Sequence, residues 1–248
     1  MASDKAEWEK VAADTAEKYG GIDIVVNNAA IMAMKGIMDA SAEEFLSVYQ
    51  TNCLSVLLSV QAVVPYMEKA GGGSIVNIDS IGGLTSGDAD GGDATYSASK
   101  GGTRALTKHA AIQFAAKKIR VNTIHPGGIL TPMLKSVYDA TPALWDRVKE
   151  TCPLPPHVSD TMDIANGALF LASDESRTVT GSELVMDCAI WRTKTEKNTT
   201  TSASNEAEVV FSASRHHRKD NNPPLVEYIS PPAQCDNASS QPIFSMCR

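Results

Sequence analysis

Tyr96 and Lys100 stand four residues apart in Tyr96-Ser97-Ala98-Ser99-Lys100, a spacing that puts both side chains on one face of a helix. An ammonium beside a phenol favours the phenolate and is expected to draw the tyrosine below its ordinary pKa of about 10. A tyrosine tuned that way can take and return a proton near neutral pH. Alone the pair says little, because an exposed tyrosine beside a solvated lysine is the commoner occurrence. Its order among other groups gives it weight. Ser80 closes the apolar run Ile75-Val76-Asn77-Ile78-Asp79, Asn27 and Asn28 close Ile24-Val25-Val26, and Pro126-Gly127 follows Val121-Asn122-Thr123-Ile124-His125. Ligands of an open parallel sheet gather beyond the carboxyl ends of its strands, where all of these groups would lie. Ser80 is placed to hydrogen-bond a substrate oxygen, although a serine opening a turn would look the same. Asn52 lies within an apolar helical stretch, where a polar side chain needs a partner.

The elements that must position these groups alternate in type. An amphipathic helix is predicted over 4–19, capped by Asp4, with Trp8, Val11, Ala12 and Tyr19 on one face and Gly20-Gly21 as its stop. Residues 22–26 read as a buried parallel strand. Ser41 and Glu44 form a capping box that opens a long helix reaching about Met67, and Gly71-Gly72-Gly73 ends it. Strands follow at 74–78, 120–124 and 183–186, with helices over about 95–116 and 161–173 between them. Alternating strands and helices predict an α/β fold with a parallel sheet of four strands.

That pattern stops near residue 190. The remainder, 191–248, is rich in Ser, Thr, Asn and Pro and near neutral, with seven Lys/Arg against six Asp/Glu. We read it as a disordered extension of a domain spanning 1–190. Its basic run Arg215-His216-His217-Arg218-Lys219 is too short to predict a nucleic-acid arm. The net charge of −7 also disfavours nucleic acid or an anionic membrane as partner. Five cysteines (Cys53, Cys152, Cys188, Cys235, Cys247) without a C-x-x-C pair argue against a disulfide framework or zinc site. No signal peptide and no long uncharged apolar run is visible, so the expectation is a cytoplasmic protein with no membrane span. Asp88, Asp90 and Asp93 hint at calcium, but the glutamate of an EF-hand loop is lacking, and no metal is expected.

Taken in order, Asn27-Asn28-Ala29, Asn52, Ser80, Tyr96-x-x-x-Lys100, Pro126-Gly127 with Ile129 and Thr131, and Val179-Thr180-Gly181 resemble the classical short-chain dehydrogenase/reductase family over about residues 4–189. Ser80–Leu84 and Ala94–Met133 look most like cyclopentanol-dehydrogenase-like and hydroxysteroid-dehydrogenase-like members. The resemblance implies a Rossmann-type sheet and interconversion of a secondary alcohol and a ketone with NAD or NADP. Tyr96 would be the proton donor and acceptor, Lys100 would tune it and hold the nicotinamide ribose, Ser80 would orient the reacting oxygen, and Asn52 would keep a relay water. Asn28 and Ala29 would lie along the cofactor ribose, and Pro126, Gly127, Ile129 and Thr131 would dock its carboxamide end. Residues from about 130 to 157, with Met133 and Trp145, would cover the substrate. Assembly into a homo-oligomer through the helices over 95–116 and 161–173 is also implied.

The sequence departs from the family in four places. The opening strand and T-G-x-x-x-G-x-G turn, which cradle the pyrophosphate at a helix N-terminus, are not among these residues. The expectation is therefore an N-terminally truncated Rossmann-type sheet lacking its first strands, with the strand at 22–26 a bare apolar edge. Ala30 replaces a glycine, the Ser80–Tyr96 interval is about three residues long, and Asp187-Cys188-Ala189 replaces Asp-Gly-Gly. A truncated remnant that no longer binds cofactor is the main rival reading. An extended-type epimerase or dehydratase, which shares the Tyr-x-x-x-Lys spacing, is a further one.

Overall fold

A computed structural model describes residues 3–85, 93–131, 135, 139 and 142–190. The extension 191–248, the loop aspartates Asp88 and Asp90, and Met133 lie outside the described residues.

Each helix begins where the sequence supplies a cap. Asp4 accepts from Ala6 N and Glu7 N to open α1 (Lys5–Tyr19), and Gly20, left-handed at φ 86°, closes it. The Ser41–Glu44 capping box opens α2 (Ala42–Tyr49) with both of its reciprocal bonds made. The chain then widens into a π-helical stretch, Gln50–Leu54, before continuing as α3 (Ser55–Ala70). Together Ala42–Ala70 is long and apolar enough to cross a membrane by length and composition, but 61% of its most apolar window is buried against the protein, as in a core helix. The remaining helices are α4 (Ala94–Phe114), α5 (Pro142–Thr151) and α6 (Thr161–Ala172), the last with its own capping box from Asp160 and Asp163.

The strands β1 (Ile24–Asn27), β2 (Gly73–Ile78), β3 (Ile119–Pro126) and β4 (Glu183–Met186) form one parallel sheet in the order β1-β2-β3-β4. Alternation along the pleat divides the core between its two faces. Ile75, Ile119 and Val121 pack with Ala12, Val60, Val63 and Met67 on the side of α1 and α3. Val76 and Ile124 pack with Ile164 and Leu171 of α6 on the other.

Two details correct the sequence reading. On α1 the core-facing stripe is Trp8, Ala12 and Ala16, with Ala12 fully buried, while Val11 lies off that stripe and Tyr19, on the same face but the last helical residue, stays exposed. Strand β1 is only half covered: Val25 packs toward the α1 and α3 core, whereas Ile24 and Val26, on the opposite face, are exposed at 50% and 45%, and the strand is the edge of the sheet. That is the bare apolar edge expected of it.

Polar groups cross the core in a connected row. Asn27 Nδ2 donates to Asn77 Oδ1 at 2.8 Å between paired residues of β1 and β2. Asn77 Nδ2 donates to Thr107 Oγ1 at 2.8 Å, Thr107 Oγ1 to Thr103 O at 2.9 Å, and Thr103 Oγ1 to Asn52 O at 3.1 Å.

Candidate active site

The carboxyl ends of the parallel strands and the first turns of α4 enclose the residues singled out from sequence. Ser80 follows β2 directly; its Oγ accepts from Gly82 N at 3.0 Å and so faces the turn before α4. Tyr96 meets it there. A Cβ built on Gly82 would lie 3.4 Å from Ser80 Oγ and 3.6 Å from the Tyr96 ring, so hydroxyl and ring converge on one glycine. The next glycine is obligatory for a different reason. A Cβ on Gly83 would stand 3.0 Å from the Lys100 backbone, so a larger residue would push the serine turn off α4.

Lys100 lies one helical turn below Tyr96 and is almost fully buried. Its Nζ donates to Ile78 O at 2.7 Å and sits 5.5 Å from the centre of the Tyr96 ring. The expectation that Lys100 draws the tyrosine downward is not met. Burial pushes the Tyr96 phenol above its ordinary value, the Ser80 hydroxyl opposes that, and the charges of Asp79 and Asp93 reinforce it. The ammonium is bonded to a main-chain carbonyl and lies over the ring face, and it is not among the charges that move the phenol. Burial also lowers the Lys100 pKa, against the pull of the Asp79 and Cys53 charges.

Asn52 sits in the π-helical stretch. Its amide is committed to protein: Oδ1 accepts from Ile31 N at 2.8 Å, and Nδ2 donates to Ile31 O at 2.9 Å and to Ser99 Oγ at 3.0 Å. It therefore clamps the segment after β1 to the helix that carries Tyr96. Asn28 and Ala29 open that segment and are exposed. On the far side, Gly127 N donates to Met186 O at 3.0 Å, and a Cβ on Gly127 would lie 2.9 Å from the Asp187 backbone, which demands glycine. Pro126 is buried, Ile129 pairs with Ser159, and Thr131 N donates to Ile129 O at 2.8 Å. Trp145 on α5 stacks edge-on against His157 at 6.3 Å between ring centres.

Three residues escaped the sequence reading. Asp93 was weighed only as a calcium ligand, yet it caps α4: one carboxylate oxygen accepts from Tyr96 N at 3.0 Å and Thr95 Oγ1 at 2.7 Å. The other accepts from Ala33 N at 2.6 Å and Met34 N at 2.7 Å. Burial works to raise this carboxyl, but those donors outweigh it and hold it below its ordinary range. An aspartate immediately before a helix start is a cap signal that could have found it. His125 is fully buried between Thr123 Oγ1 at 2.8 Å and Ser80 O at 2.9 Å, fixing the backbone that carries Ser80. Asp79, beside Ser80, is buried and its carboxylate accepts no side-chain hydrogen bond among the described residues. Among the described residues no three His, Cys, Asp or Glu side chains gather as a metal site.

A family profile described as enoyl-(acyl carrier protein) reductase matches residues 2–189. The chain is 36% identical over 185 residues to the 2,5-dichloro-2,5-cyclohexadiene-1,4-diol dehydrogenase LinX of Sphingobium indicum, covering 75% of this chain and 71% of that one. It is 42% identical over 166 residues to cyclopentanol dehydrogenase of Comamonas testosteroni, covering 67% of this chain and 64% of the relative. It is 39% identical over 192 residues to the NADP-dependent (R)-specific alcohol dehydrogenase of Lentilactobacillus kefiri, covering 75% and 73%. Among solved structures, a short-chain dehydrogenase/reductase from Burkholderia xenovorans superposes with a TM-score of 0.71 at 34% identity, over 77% of this chain and 72% of the other. ElxO with NADP bound gives the same TM-score at 29% identity, over 77% and 76%.

Proposed function

We propose that this chain, which belongs to the short-chain dehydrogenase/reductase family, interconverts a secondary alcohol and a ketone with NAD(H) or NADP(H), Tyr96 serving as acid and base. The observation that carries this reading is the convergence of the Ser80 hydroxyl and the Tyr96 ring on Gly82, with Lys100 one turn beneath. Relatives named as alcohol and cyclopentanol dehydrogenases, and a neighbour that holds NADP, support it.

The donor set suits the nicotinamide end of such a cofactor: Lys100 would offer its remaining N–H groups to ribose hydroxyls, Asn28 and Ala29 would lie along it from the segment after β1, and Gly127, Ile129 and Thr131 from the segment after β3. Bound there, the cofactor supplies or accepts the hydride. The chain's own residues do the rest. The Ser80 hydroxyl donates to the ketone oxygen and orients it. The Tyr96 phenol gives its proton to that oxygen during reduction and takes it back during oxidation. Lys100, satisfied by Ile78 O, keeps a positive charge beneath the ring. Asn52 acts by fixing Ile31 and Ser99, so that the β1 segment and α4 keep their spacing.

Among the described residues the thiols of Cys53, Cys152 and Cys188 are free, which supports a reducing, cytoplasmic setting. Exposed apolar side chains on the outer helices, Ile112 on α4 and Leu169 on α6, support self-association.

Fluorescence titration of the full chain with NADH and NADPH tests the proposal, with Tyr96→Phe as the control. Saturable binding by both proteins, with alcohol and ketone turnover only in the wild type, is the expected result. A folded sample that binds neither nucleotide favours the rival, an inherited site without cofactor.

A further inference from the structure

Asp79 has no task in the chemistry above. It lies between Ile78, whose carbonyl takes the Lys100 ammonium, and Ser80, and its own N–H donates to Ile124 O at 2.8 Å across to β3. The residue is 3% exposed, its carboxylate accepts no side-chain hydrogen bond among the described residues, and the one donor close to it is the Ser80 N–H, short of good hydrogen-bond geometry. A buried carboxylate with so little hydrogen bonding is costly, so one placed beside a reacting serine calls for a reason. The titratable groups whose charges reach it are Tyr96, Lys100 and Arg104 on α4, Cys53 in the π-helical stretch, and Glu183 on β4. From β3, His125 bonds the neighbouring Ser80 carbonyl and is held neutral by burial.

We propose that Asp79 is a positioning residue of this site, a buried counter-charge that keeps Lys100 an ammonium and Tyr96 a phenol. The consequence for turnover rests on the oxidoreductase reading above; the electrostatics does not. A negative charge in this position opposes loss of the proton from both neighbours, so each is held in its protonated form to higher pH. For Tyr96 that form is the proton donor to a ketone oxygen, so Asp79 widens the range over which the site is ready for reduction. The charge is conditional. Burial pushes the Asp79 carboxyl up to about 7, against the pull of Lys100. Below that pH the counter-charge is absent, and above it the charge is present.

Ultraviolet difference titration of the full chain against Tyr96→Phe reads the Tyr96 phenolate without cofactor or substrate. In Asp79→Asn the phenolate is expected at lower pH than in the wild type, and Asp79→Ser, a smaller polar replacement, should move it the same way. An unchanged midpoint in either folded variant overturns the proposal. The wild type alone gives a second test that needs no variant to fold. The Lys100 Cε resonance should bend near pH of about 7 as Asp79 ionises, in addition to its own titration, and a single inflection overturns the proposal. In an active preparation the alkaline limb of the pH profile for ketone reduction should move to lower pH in Asp79→Asn. Each unit of movement changes the rate on that limb about tenfold. A purely structural role would lower the plateau and leave the limb in place. Failure to bind NADH or NADPH removes the functional reading, while the phenolate titration still decides this one.

Discussion

Strands β1 and β2 are neighbours with nearly the same residue types, Ile-Val-Val-Asn and Ser-Ile-Val-Asn-Ile, and opposite surroundings. In β2, Ile75 and Val76 are wholly buried on the two faces of the sheet; in β1, Ile24 and Val26 face solvent. At their carboxyl ends β2 delivers Ser80 against Tyr96, whereas β1 delivers Asn28 to an exposed segment. An apolar run thus encodes willingness to be buried, and what packs over each face of the sheet decides whether burial happens.

The comparison can be broken most decisively at the strand ends. Ser80→Ala should lower ketone turnover by about 10²–10³-fold, the usual loss of one oriented donor at a developing oxyanion. Asn28→Ala, removing one exposed hydrogen-bonding group, should cost at most about tenfold. Steady-state kinetics on both variants would collapse the distinction if the losses were equal. Next in size is the core. Ile75→Ala should destabilise by about 2–5 kcal/mol, whereas Ile24→Ala should stay within about 0.5–1 kcal/mol, as read from urea midpoints.

A smaller effect is expected where the two regions are tied together. Asp93→Ala removes the cap of α4 and both bonds to the β1 segment, and a lost cap costs about 0.5–2 kcal/mol. Because the Asp93 carboxyl is held below its ordinary value, its contribution is complete above the ordinary carboxylate range and is lost as pH falls through the still lower folded value. The gap between wild type and Asp93→Ala melting should therefore close in acid. A gap independent of pH would assign Asp93 a purely geometric role. The smallest stability change belongs to Val26→Lys, expected within about 0.5 kcal/mol, with a clear fall in light scattering at high concentration if the β1 edge is sticky.

Local chemistry was legible in the sequence. The Ser41–Glu44 box, the Gly20 stop and the strand at 183–186 stand where residue types alone placed them. Those signals act within a few residues. The site was legible as positions: Ser80, Tyr96 and Lys100 do meet, as their order suggested. Their energetics was not. The direction of the Tyr96 shift depends on burial and on the nearby Ser80 hydroxyl and Asp79 charge, which the fold brings in from segments distant in sequence. The commitment of Asn52 to Ile31, and the second role of Asp93 at Ala33 and Met34, likewise join segments that no periodicity connects.

The row of amides and hydroxyls from Asn27 to Asn52 bears on how the chain finds this arrangement. Valines and isoleucines slide past one another with little loss, so an apolar strand pair alone tolerates several registers. The Asn27–Asn77 bond does not, because a shift of either strand by one residue would turn one amide to the opposite face and strand its partner away from water. The penalty would then spread to Thr107 and Thr103, whose hydroxyls complete the same row. During folding these few polar groups work as a proofreader, making mispaired sheets short-lived rather than making the correct one stronger.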